Sequence, residues 1–458
     1  MSLDSPEIEL FYLALLGASK GLELPSLDFA YLGTRAIVGI TMLIHMFFAQ
    51  LFVGFIVASP LLEWWGTRKE DVRMQRLSRA MDRFNVLTFS VGATFAGMFL
   101  VLIVGFYPRV TAALFTHFFW LFPMLGMAAM GTTLFLLFLY HYRTQRRSVL
   151  AGLGAAFFIL VWQAILTGVD TFMVTGGGPG ERLQSGGNLT FSGLGEAFGS
   201  MLNPMFVPLD LHRTFGNLSW PAFAVAGWAA FAYGRAKKSE DREFFDWAGS
   251  MGVLWGTVFL LLQPFVGFAM VLSLKLLGYG AGELPVSGTS GPYHRLVGTG
   301  SESFTSNLLY INLLMVVGLF VLSNLAMYAG AGRNPEARGR RYIQFFGLIA
   351  AAAGLYSVSP VADWPFLYMR YIMLLIMVVA TVGTLVSYVR MRRAFVYGSQ
   401  GGAYRVALLL LGILAVATTM GMGFMKSNAR APYTIYGQSE YRVGSERPVT
   451  QEQLRTEP

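Results

Sequence analysis

A histidine and a methionine, each within a long apolar segment, are the residues of this sequence with the clearest chemical potential. His212 lies in PLDLHRTFGNLSW and Met315 in INLLMVVG. Each is about two turns inside the predicted outer end of its helix, where neither side chain has an aqueous partner. An imidazole and a thioether are the axial ligands that hold a low-spin haem iron and raise its reduction potential. The pair therefore suggests electron transfer inside a membrane.

The composition places these residues in a lipid bilayer. Hydrophobic residues make up 55% and charged residues 13% of the 458 residues, and the mean hydropathy is +0.54. Together with recurrent apolar runs, this predicts an all-α, polytopic bundle of transmembrane helices. We divide the chain into an N-terminal interfacial segment at 1–33, a transmembrane haem-binding domain at 34–425 and an extracytoplasmic C-terminal tail at 426–458.

The absence of cysteine limits the redox groups that this chain can hold. It excludes disulfides, cysteine-ligated iron–sulfur clusters and covalent c-type haem attachment within the chain. Any redox centre must be held by histidine, methionine or carboxylate. The net charge of +9 does not indicate nucleic-acid binding, because the basic residues fall in short loops between spans, where they orient the helices.

Hydropathy windows of about nineteen residues predict about ten membrane spans. They lie at 36–62, 84–107, 110–141, 149–174, 208–234, 246–277, 305–330, 342–360, 363–390 and 404–425. The short apolar stretch at 9–17 is followed by charged residues, which is typical of an interfacial helix. It lacks the basic region and the cleavage site of a signal peptide.

The loops between the spans alternate in composition. Arginine and lysine cluster after the odd-numbered spans, whereas the loops at 175–193 and 278–294 are rich in Gly and Ser. By the positive-inside rule, the basic loops face the cytoplasm, and both termini lie on the extracytoplasmic side. The polar tail after Lys426 lacks periodicity, so we expect it to be irregular unless it lies along a partner protein.

The other histidines extend the haem hypothesis. His45 lies in the middle of the first span and His117 at the start of the third. With His212, three of the five histidines lie in the middle or outer part of the bundle, which favours a haem site over the helix–helix hydrogen bond of a lone membrane histidine. His141 is expected to form hydrogen bonds at the cytoplasmic interface, and His294 lies in an outer loop.

Four stretches resemble subunit I of the cytochrome bd quinol oxidases. Residues 35–63 and 84–141 resemble the family's first three long helices. LNPMFVPLDLHRTFGNLSWPAFAVAGWAAF at 202–231 resembles the helix that bears a haem-ligating histidine after Asn-Pro, and 311–318 resembles the helix of its methionine partner. This resemblance, rather than spacing, selects Met315 among the 23 methionines.

The resemblance implies a set of ligands. It makes His212 and Met315 the axial ligands of a low-spin haem b near the outer surface. His45 matches the family's histidine at the high-spin haems, where oxygen is reduced. We expect Arg370 to neutralise a haem propionate. The resemblance also implies a location in the bacterial inner membrane and a second membrane subunit.

The chain departs from the family where oxygen chemistry is done. Met130 and Phe138 occupy the positions of a carboxylate pair, VADWPF at 361–366 replaces a Gly-Arg-Gln-Pro-Trp motif, and Ser387 lies near the position of an acidic haem ligand. The segment 84–141 contains no Asp or Glu, so a proton route through it is hard to draw. We therefore expect no oxygen reduction and no d haem.

A quinol site is expected in the outer loop between the sixth and seventh spans. In the family this loop carries a charged pair, whereas here it covers only about 278–304. Lys275, Glu283 and His294 are its candidate polar groups. An ordinary connecting loop is the alternative.

These observations predict a haem b subunit that passes electrons between the quinone pool and an extracytoplasmic c-type or multihaem cytochrome, as a component of a quinol:cytochrome oxidoreductase. The number of haems per chain is left open, with two or three as alternatives to one. His45 and His117 either share a second haem b, or His45 holds a haem with another ligand while His117 only forms a hydrogen bond.

Two other functions are retained as alternatives. The first is a divergent cytochrome bd-type quinol terminal oxidase. The second is a cofactor-free membrane transporter, for which Gln163 and Asp170 are too sparse a polar site.

Overall fold

The computed structural model describes residues 33–106, 119–143, 149–174, 193–203, 205–276, 303–365, 368–429, 433–435, 439–442 and 445–448. Its helices are α1 (Gly33–Arg68), α2 (Val72–Phe106), α3 (Leu125–Arg143), α4 (Val149–Val174), α5 (Leu194–Met201), α6 (Phe206–Arg235), α7 (Ser239–Leu276), α8 (Ser303–Gly330), α9 (Ala337–Ser357), α10 (Met369–Met391) and α11 (Gly402–Ala429). Short 3₁₀ turns at Phe119–Met124, Ala331–Arg333 and Arg392–Ala394 adjoin α3, α8 and α10.

The predicted membrane bundle is confirmed. Within the described residues, seven helices are long and apolar enough to cross a bilayer, namely α1, α2, α4, α7, α8, α10 and α11. The remaining predicted spans coincide with α3, α6 and α9, except that 110–118 lies outside the described residues. Helix α6 is less apolar because Asn217, Ser219 and Pro221 interrupt it, and α9 is less apolar because it begins with three arginines.

Two helices start at residues other than those at which the predicted spans begin, and local chemistry explains both starts. Helix α2 begins at Val72, not at residue 84, because the Asp71 carboxylate accepts hydrogen bonds from the backbone N–H groups of Arg73 (2.9 Å) and Met74 and so caps the helix. Helix α10 begins at Met369 rather than at 363, because Pro365 disfavours helical backbone at the residue before it.

Four helices surround the candidate residues within a larger core. Helix α6 packs on α7 and α11, and α8 packs mainly on α11 and α9 and less on α7, whereas direct contacts between α6 and α8 are few or absent in the described structure. Helices α6 and α8 therefore lie diagonally across a four-helix unit. The backbones of α6 and α11 approach closely, since a Cβ atom on Gly227 would lie 3.2 Å from Gly412 Cα. Small residues at such a crossing are typical of membrane helices.

Contacts define the two ends of this unit. At the end that we call the basic end, Arg76 of α2 pairs with Asp241 of α7 at 2.6 Å, and the Tyr233 hydroxyl donates to the Gly398 carbonyl at 2.8 Å. At the opposite end, an apolar cluster draws on α7, α8, α11 and the residue that precedes α6. We call it the methionine cap, and it consists of Met205, Met270, Leu308, Leu309, Met422 and Met425. The positive-inside rule predicts that the basic end is cytoplasmic.

The C-terminal tail departs from the expected irregular structure. Strands β1 (Tyr433–Ile435), β2 (Ser439–Arg442) and β3 (Ser445–Pro448) form an antiparallel sheet in the order β1-β2-β3. Glu440 pairs with Arg447 and Tyr441 with Glu446. The expectation of an irregular tail is wrong for these residues, and the all-helical description applies to the membrane domain.

Candidate haem-binding site

The start of α6 sets the position of His212. The Asn203 side-chain oxygen accepts a hydrogen bond from the Met205 backbone N–H at 3.1 Å, and the Asn203 amide donates to Thr171 Oγ1 of α4 at 2.9 Å. Asn203 thus forms a side-chain turn just before α6 and ties the start of that helix to α4. His212 follows in the second turn of the helix.

The His212 imidazole has an unpaired nitrogen. Its Nδ1 is buried and has no hydrogen-bond partner among the described residues. The ring lies against Gly267 of α7, where an added Cβ would be 3.7 Å from Nδ1. Gln263 donates to the His212 backbone carbonyl at 3.0 Å and fixes the helix beside the ring. Buried polar atoms are normally paired, so an unpaired imidazole nitrogen points to a ligand or to water.

Met315 lies on the diagonal helix α8 and faces α11. An added Cβ on Gly421 would lie 2.8 Å from Met315 Cε and 2.6 Å from Asn312 Oδ1. Asn312 is 1% exposed and donates to the Leu308 carbonyl at 2.7 Å, but its Oδ1 has no partner within the described structure. Asn312 Oδ1 is thus a second unpaired buried polar atom, after His212 Nδ1, and it lies about one helical turn from the Met315 thioether.

The two residues lie at similar depths. His212 is seven residues after Met205, and Met315 is six residues after Leu309, and both reference residues belong to the methionine cap. At 1.5 Å per residue these separations are about 10 and about 9 Å. The two residues lie on α6 and α8 at similar separations from the methionine cap, and their pairing as ligands remains a prediction.

The donor set and its surroundings fit a haem. An imidazole and a thioether suit iron ligation, and the methionine cap closes the adjoining end with apolar side chains. No group of three or more His, Asp or Glu side chains in the described part of the chain converges to hold a bare metal ion. A haem needs only two protein ligands, because the porphyrin supplies the rest.

Arg213 points away from this site. Its guanidinium donates to Asp170 of α4 and to Thr167 Oγ1 at 3.0 Å, and Lys426 of α11 donates to the same Asp170 carboxylate. This ion cluster joins α4, α6 and α11 beside the methionine cap. Arg213 is therefore held by a carboxylate on the α4 side of α6.

The residues judged too sparse in the sequence belong to a larger polar seam between α4 and α6. Gln163 donates to Thr214 Oγ1 at 2.9 Å and accepts from Asn217 at 2.7 Å. The sequence analysis missed this seam because each helix contributes only part of it. The polar residues of both helices share a spacing of four and then three residues, at 163, 167 and 170 on α4 and at 210, 214 and 217 on α6. This shared spacing is the signal in the sequence that pairs the two polar faces.

Arg370 lies in the first turn of α10, not two turns into a span. Its guanidinium donates to Asp363 at 3.2 Å, and its Nε is buried without a partner among the described residues. The role of Arg370 toward a propionate remains a prediction.

His45 makes the helix–helix hydrogen bond that was its alternative role. Its Nδ1 lies 2.9 Å from the carbonyl oxygen of Gly92 on α2. A carbonyl only accepts, so Nδ1 carries the proton and Nε2 is the nitrogen with a free lone pair. Many metal-binding histidines have this arrangement. The hydrogen bond and a ligand role are therefore compatible.

The other predicted site residues can be placed only in part. His117, Glu283 and His294, and the side chains of His141 and Lys275, lie outside the described residues. The positions of the lost carboxylates are described: Met130 is exposed on α3, whereas Phe138 is 2% exposed and packs where a Cβ on Gly152 would be 3.0 Å from its ring.

A second buried polar centre lies at the basic end. Asp246 of α7 is fully buried and Arg333 is 3% exposed, and their side chains pair at 2.7 Å. Arg333 also donates to the Tyr388 hydroxyl at 3.0 Å and stacks over the Tyr404 ring at 4.2 Å. The other Asp246 oxygen accepts from the Gly398 N–H at 2.9 Å. Every charged group here has partners, which indicates a structural clamp.

Comparison with known proteins gives distant likenesses among solved structures. The chain is similar to a chain in the structure of bd oxidase from Geobacillus thermodenitrificans, with 14% sequence identity and a TM-score of 0.46. The similarity covers 86% of this chain and 96% of that chain. No family model and no curated protein matches the chain.

Proposed function

We propose that this chain is a membrane haem b subunit of a respiratory electron-transfer complex. It passes electrons between the quinone pool and an extracytoplasmic c-type or multihaem cytochrome. The observation that carries the proposal is the unpaired His212 imidazole, which lies opposite Met315 at matched depth in the four-helix unit. When bound, haem b supplies a one-electron carrier whose potential a thioether ligand raises.

Each residue around the pair has a proposed task. The His212 imidazole and the Met315 sulfur would hold the iron, and Gly267 and Gly421 leave room for their side chains. The methionine cap keeps water away from the buried edge of the site. Arg370, which pairs with Asp363 in the segment before α10, neutralises a propionate.

The proposed role does not include oxygen reduction. Met130 and Phe138 replace the carboxylates that the family resemblance requires, and Phe138 is packed into the α3–α4 contact, so no acidic group is available at either position. Quinol protons leave directly to the outer side. Lys275, Glu283 and His294 are the proposed quinone-contacting groups, and a second membrane subunit completes the complex.

The electron acceptor is proposed to dock near the C-terminal sheet. The sheet follows α11 directly, and the end of α11 lies at the methionine cap beside the proposed haem. An external cytochrome on this face comes close to the haem without entering the bilayer.

Anaerobic electron-transfer measurements test the proposal. Adding a quinol to the purified complex should reduce a low-spin haem b and then a soluble c-type cytochrome, and the His212→Ala variant should lose both steps. Parallel oxygen-electrode measurements should show no quinol-driven oxygen consumption. Oxygen consumption that the His45→Ala substitution abolishes would contradict the proposal.

A terminal oxidase is the second candidate, and one observation favours it. The hydrogen bond of His45 to Gly92 leaves Nε2 free to ligate an iron in the middle of the bundle. The same oxygen-electrode measurement decides between the two candidates.

A further inference from the structure

The buried face of α2 is polar in the half nearest the basic end. Its buried residues are Leu77, Ser78, Met81, Asp82, Asn85, Thr88 and Gly92. On the opposite face, Leu87 and Val101 are exposed, as expected of residues that meet lipid. A polar interior face with an apolar exterior is costly in a membrane helix and marks a functional path more often than a packing surface.

Asp82 is the central group of this α2 stripe, which we define as Ser78, Asp82, Asn85, Thr88 and Gly92. The carboxyl is 3% exposed, and Ser59 of α1 donates to its Oδ1. Ser78 in turn donates to the Ser59 backbone carbonyl at 2.9 Å. The other carboxyl oxygen of Asp82 has no partner among the described residues.

The stripe continues from Asp82 toward the middle of the bundle. The Asn85 amide nitrogen, one turn from Asp82, is buried and unpaired in the described structure. An unpaired acceptor and an unpaired donor so close together suit a bridging water. The Thr88 hydroxyl donates to Asn85 Oδ1 at 3.1 Å, and one further turn along α2 the Gly92 carbonyl accepts from His45.

These groups form a file along α2, by which we mean a row of polar side chains that ends at the Gly92 backbone carbonyl. Asp82 and Gly92 are ten residues apart, which is about 15 Å along the helix. Chains of carboxyl and imidazole groups, bridged by hydroxyl groups and water, are the usual means by which protons cross hydrocarbon. The sequence analysis missed the file because it began the second span at residue 84, two residues after Asp82.

We propose that Asp82 is a proton-carrying residue and that the α2 stripe joins the basic end to a redox group held by His45. For each electron that enters at His45, the Asp82 carboxylate takes one proton from the aqueous phase at the basic end and forms an O–H bond. When the electron leaves, the proton returns. Charge in the bundle interior then stays balanced. The inference rests on the proposed haem chemistry, but it concerns His45 rather than the His212–Met315 pair.

Other ionisable groups lie near Asp82. Glu63 of α1 is buried and accepts from Thr67 at 3.2 Å, and Arg79 and Arg83 are on α2 itself. On α7, which also packs against α2, Asp241 pairs with Arg76. A test must separate Asp82 from these carboxylates.

Redox titration of the purified protein at several pH values provides that test. The midpoint potential of the component that is lost in His45→Ala should fall as the pH rises through the range in which Asp82 titrates, by at most about 59 mV per pH unit, since one proton accompanies one electron. Asp82→Asn should make this potential independent of pH. The controls Glu63→Gln and Asp241→Asn should keep the slope.

Infrared difference spectra add a readout that does not depend on turnover. Reduction of the wild type should produce the carbonyl band of a protonated carboxyl, and Asp82→Asn should lack it. If Asp82→Asn does not fold, Ser59→Ala serves instead, because it removes the hydrogen bond to Asp82 Oδ1 and should displace the pH range over which the potential changes. An unchanged pH range in Ser59→Ala would overturn the proposal.

Three further results would overturn the Asp82 proposal and leave the His212–Met315 assignment unaffected. They are a haem content unchanged in His45→Ala, a wild-type potential that does not vary with pH, and a slope that persists in Asp82→Asn. Loss of only the His212 component in His212→Ala would leave the His45 component measurable and the Asp82 proposal unaffected.

Discussion

Two buried polar centres lie at opposite ends of the four-helix unit, and they are built in opposite ways. At the basic end, Arg333 and Asp246 have partners for their charges, and aromatic rings surround the guanidinium. Near the methionine cap, His212 Nδ1 and Asn312 Oδ1 are buried without partners in the described structure. Neutral buried atoms at the basic end, among them the Tyr397 and Tyr404 hydroxyls, are also unpaired in the described structure, so the contrast lies in the charged groups of the clamp, which are all paired.

Energies support this contrast. Leaving one buried donor or acceptor unpaired costs about 1–3 kcal/mol, so a chain keeps such atoms only where something else repays the cost. Haem binding at His212 and Met315 would do so. Breaking a satisfied buried ion pair costs more, about 3–5 kcal/mol, because an uncompensated charge remains.

The largest effect is expected from breaking the clamp at the basic end. Asp246→Asn leaves the Arg333 guanidinium buried without its counter-charge, so the free energy of unfolding should fall by about 3–5 kcal/mol. Denaturant titration of the purified protein in detergent measures this. The control Asp241→Asn, which breaks the partly exposed pair with Arg76, should cost at most about 1 kcal/mol. Equal losses in the two variants would contradict the clamp.

Filling the space beside Met315 should have the next largest effect. A Cβ at residue 421 would lie too close to both Asn312 Oδ1 and Met315 Cε, so Gly421→Ala should displace the thioether and cost about 1–3 kcal/mol. The low-spin haem spectrum should weaken. Gly97→Ala is the matched control, because nothing lies within 4 Å of its added Cβ. Identical spectra for the two variants would remove Met315 from the site.

Replacing the Met315 thioether by an imidazole should test the ligand role of Met315 without unfolding the protein. Met315→His should retain a low-spin haem but lower its potential by on the order of 0.1 V, a small part of the range of about 0.8 V that axial ligands span. Spectroelectrochemistry measures both properties. A potential equal to that of the wild type would show that Met315 is not a ligand.

The smallest effect is expected at Arg370. This side chain is partly exposed and already pairs with Asp363, so Arg370→Gln should lower the haem potential by less than Met315→His does. The same titration compares the two variants. A larger shift in Arg370→Gln would mean that the haem lies closer to α10 than to α8.

The sequence indicates the candidate haem-binding site more clearly than it indicates the Arg333–Asp246 clamp. Apolar runs locate the helices, and His212 stands out because an imidazole in an apolar helix is unusual. In the sequence, Arg333 is only one of many basic residues near a loop, and its partner Asp246 is 87 residues away. Such a pair depends on tertiary packing, which neither hydropathy nor local spacing reports.

Met315 and Asp82 show two different limits. Nothing in its spacing distinguishes Met315 from 22 other methionines, so family resemblance was needed to select it. Asp82 was missed because hydropathy windows exclude charged residues from a span, although the Asp71 cap starts α2 at Val72 and carries Asp82 into the bundle. Caps and partners, rather than apolarity, determine where a functional carboxylate lies.

The central claim is tested most directly by haem analysis of two adjacent variants. Pyridine haemochrome stoichiometry and reduced-minus-oxidised spectra should show that His212→Ala loses one low-spin haem b per chain. Arg213→Gln, whose native side chain points toward Asp170 on the far side of α6, should retain it. An unchanged haem spectrum in His212→Ala would contradict the assignment.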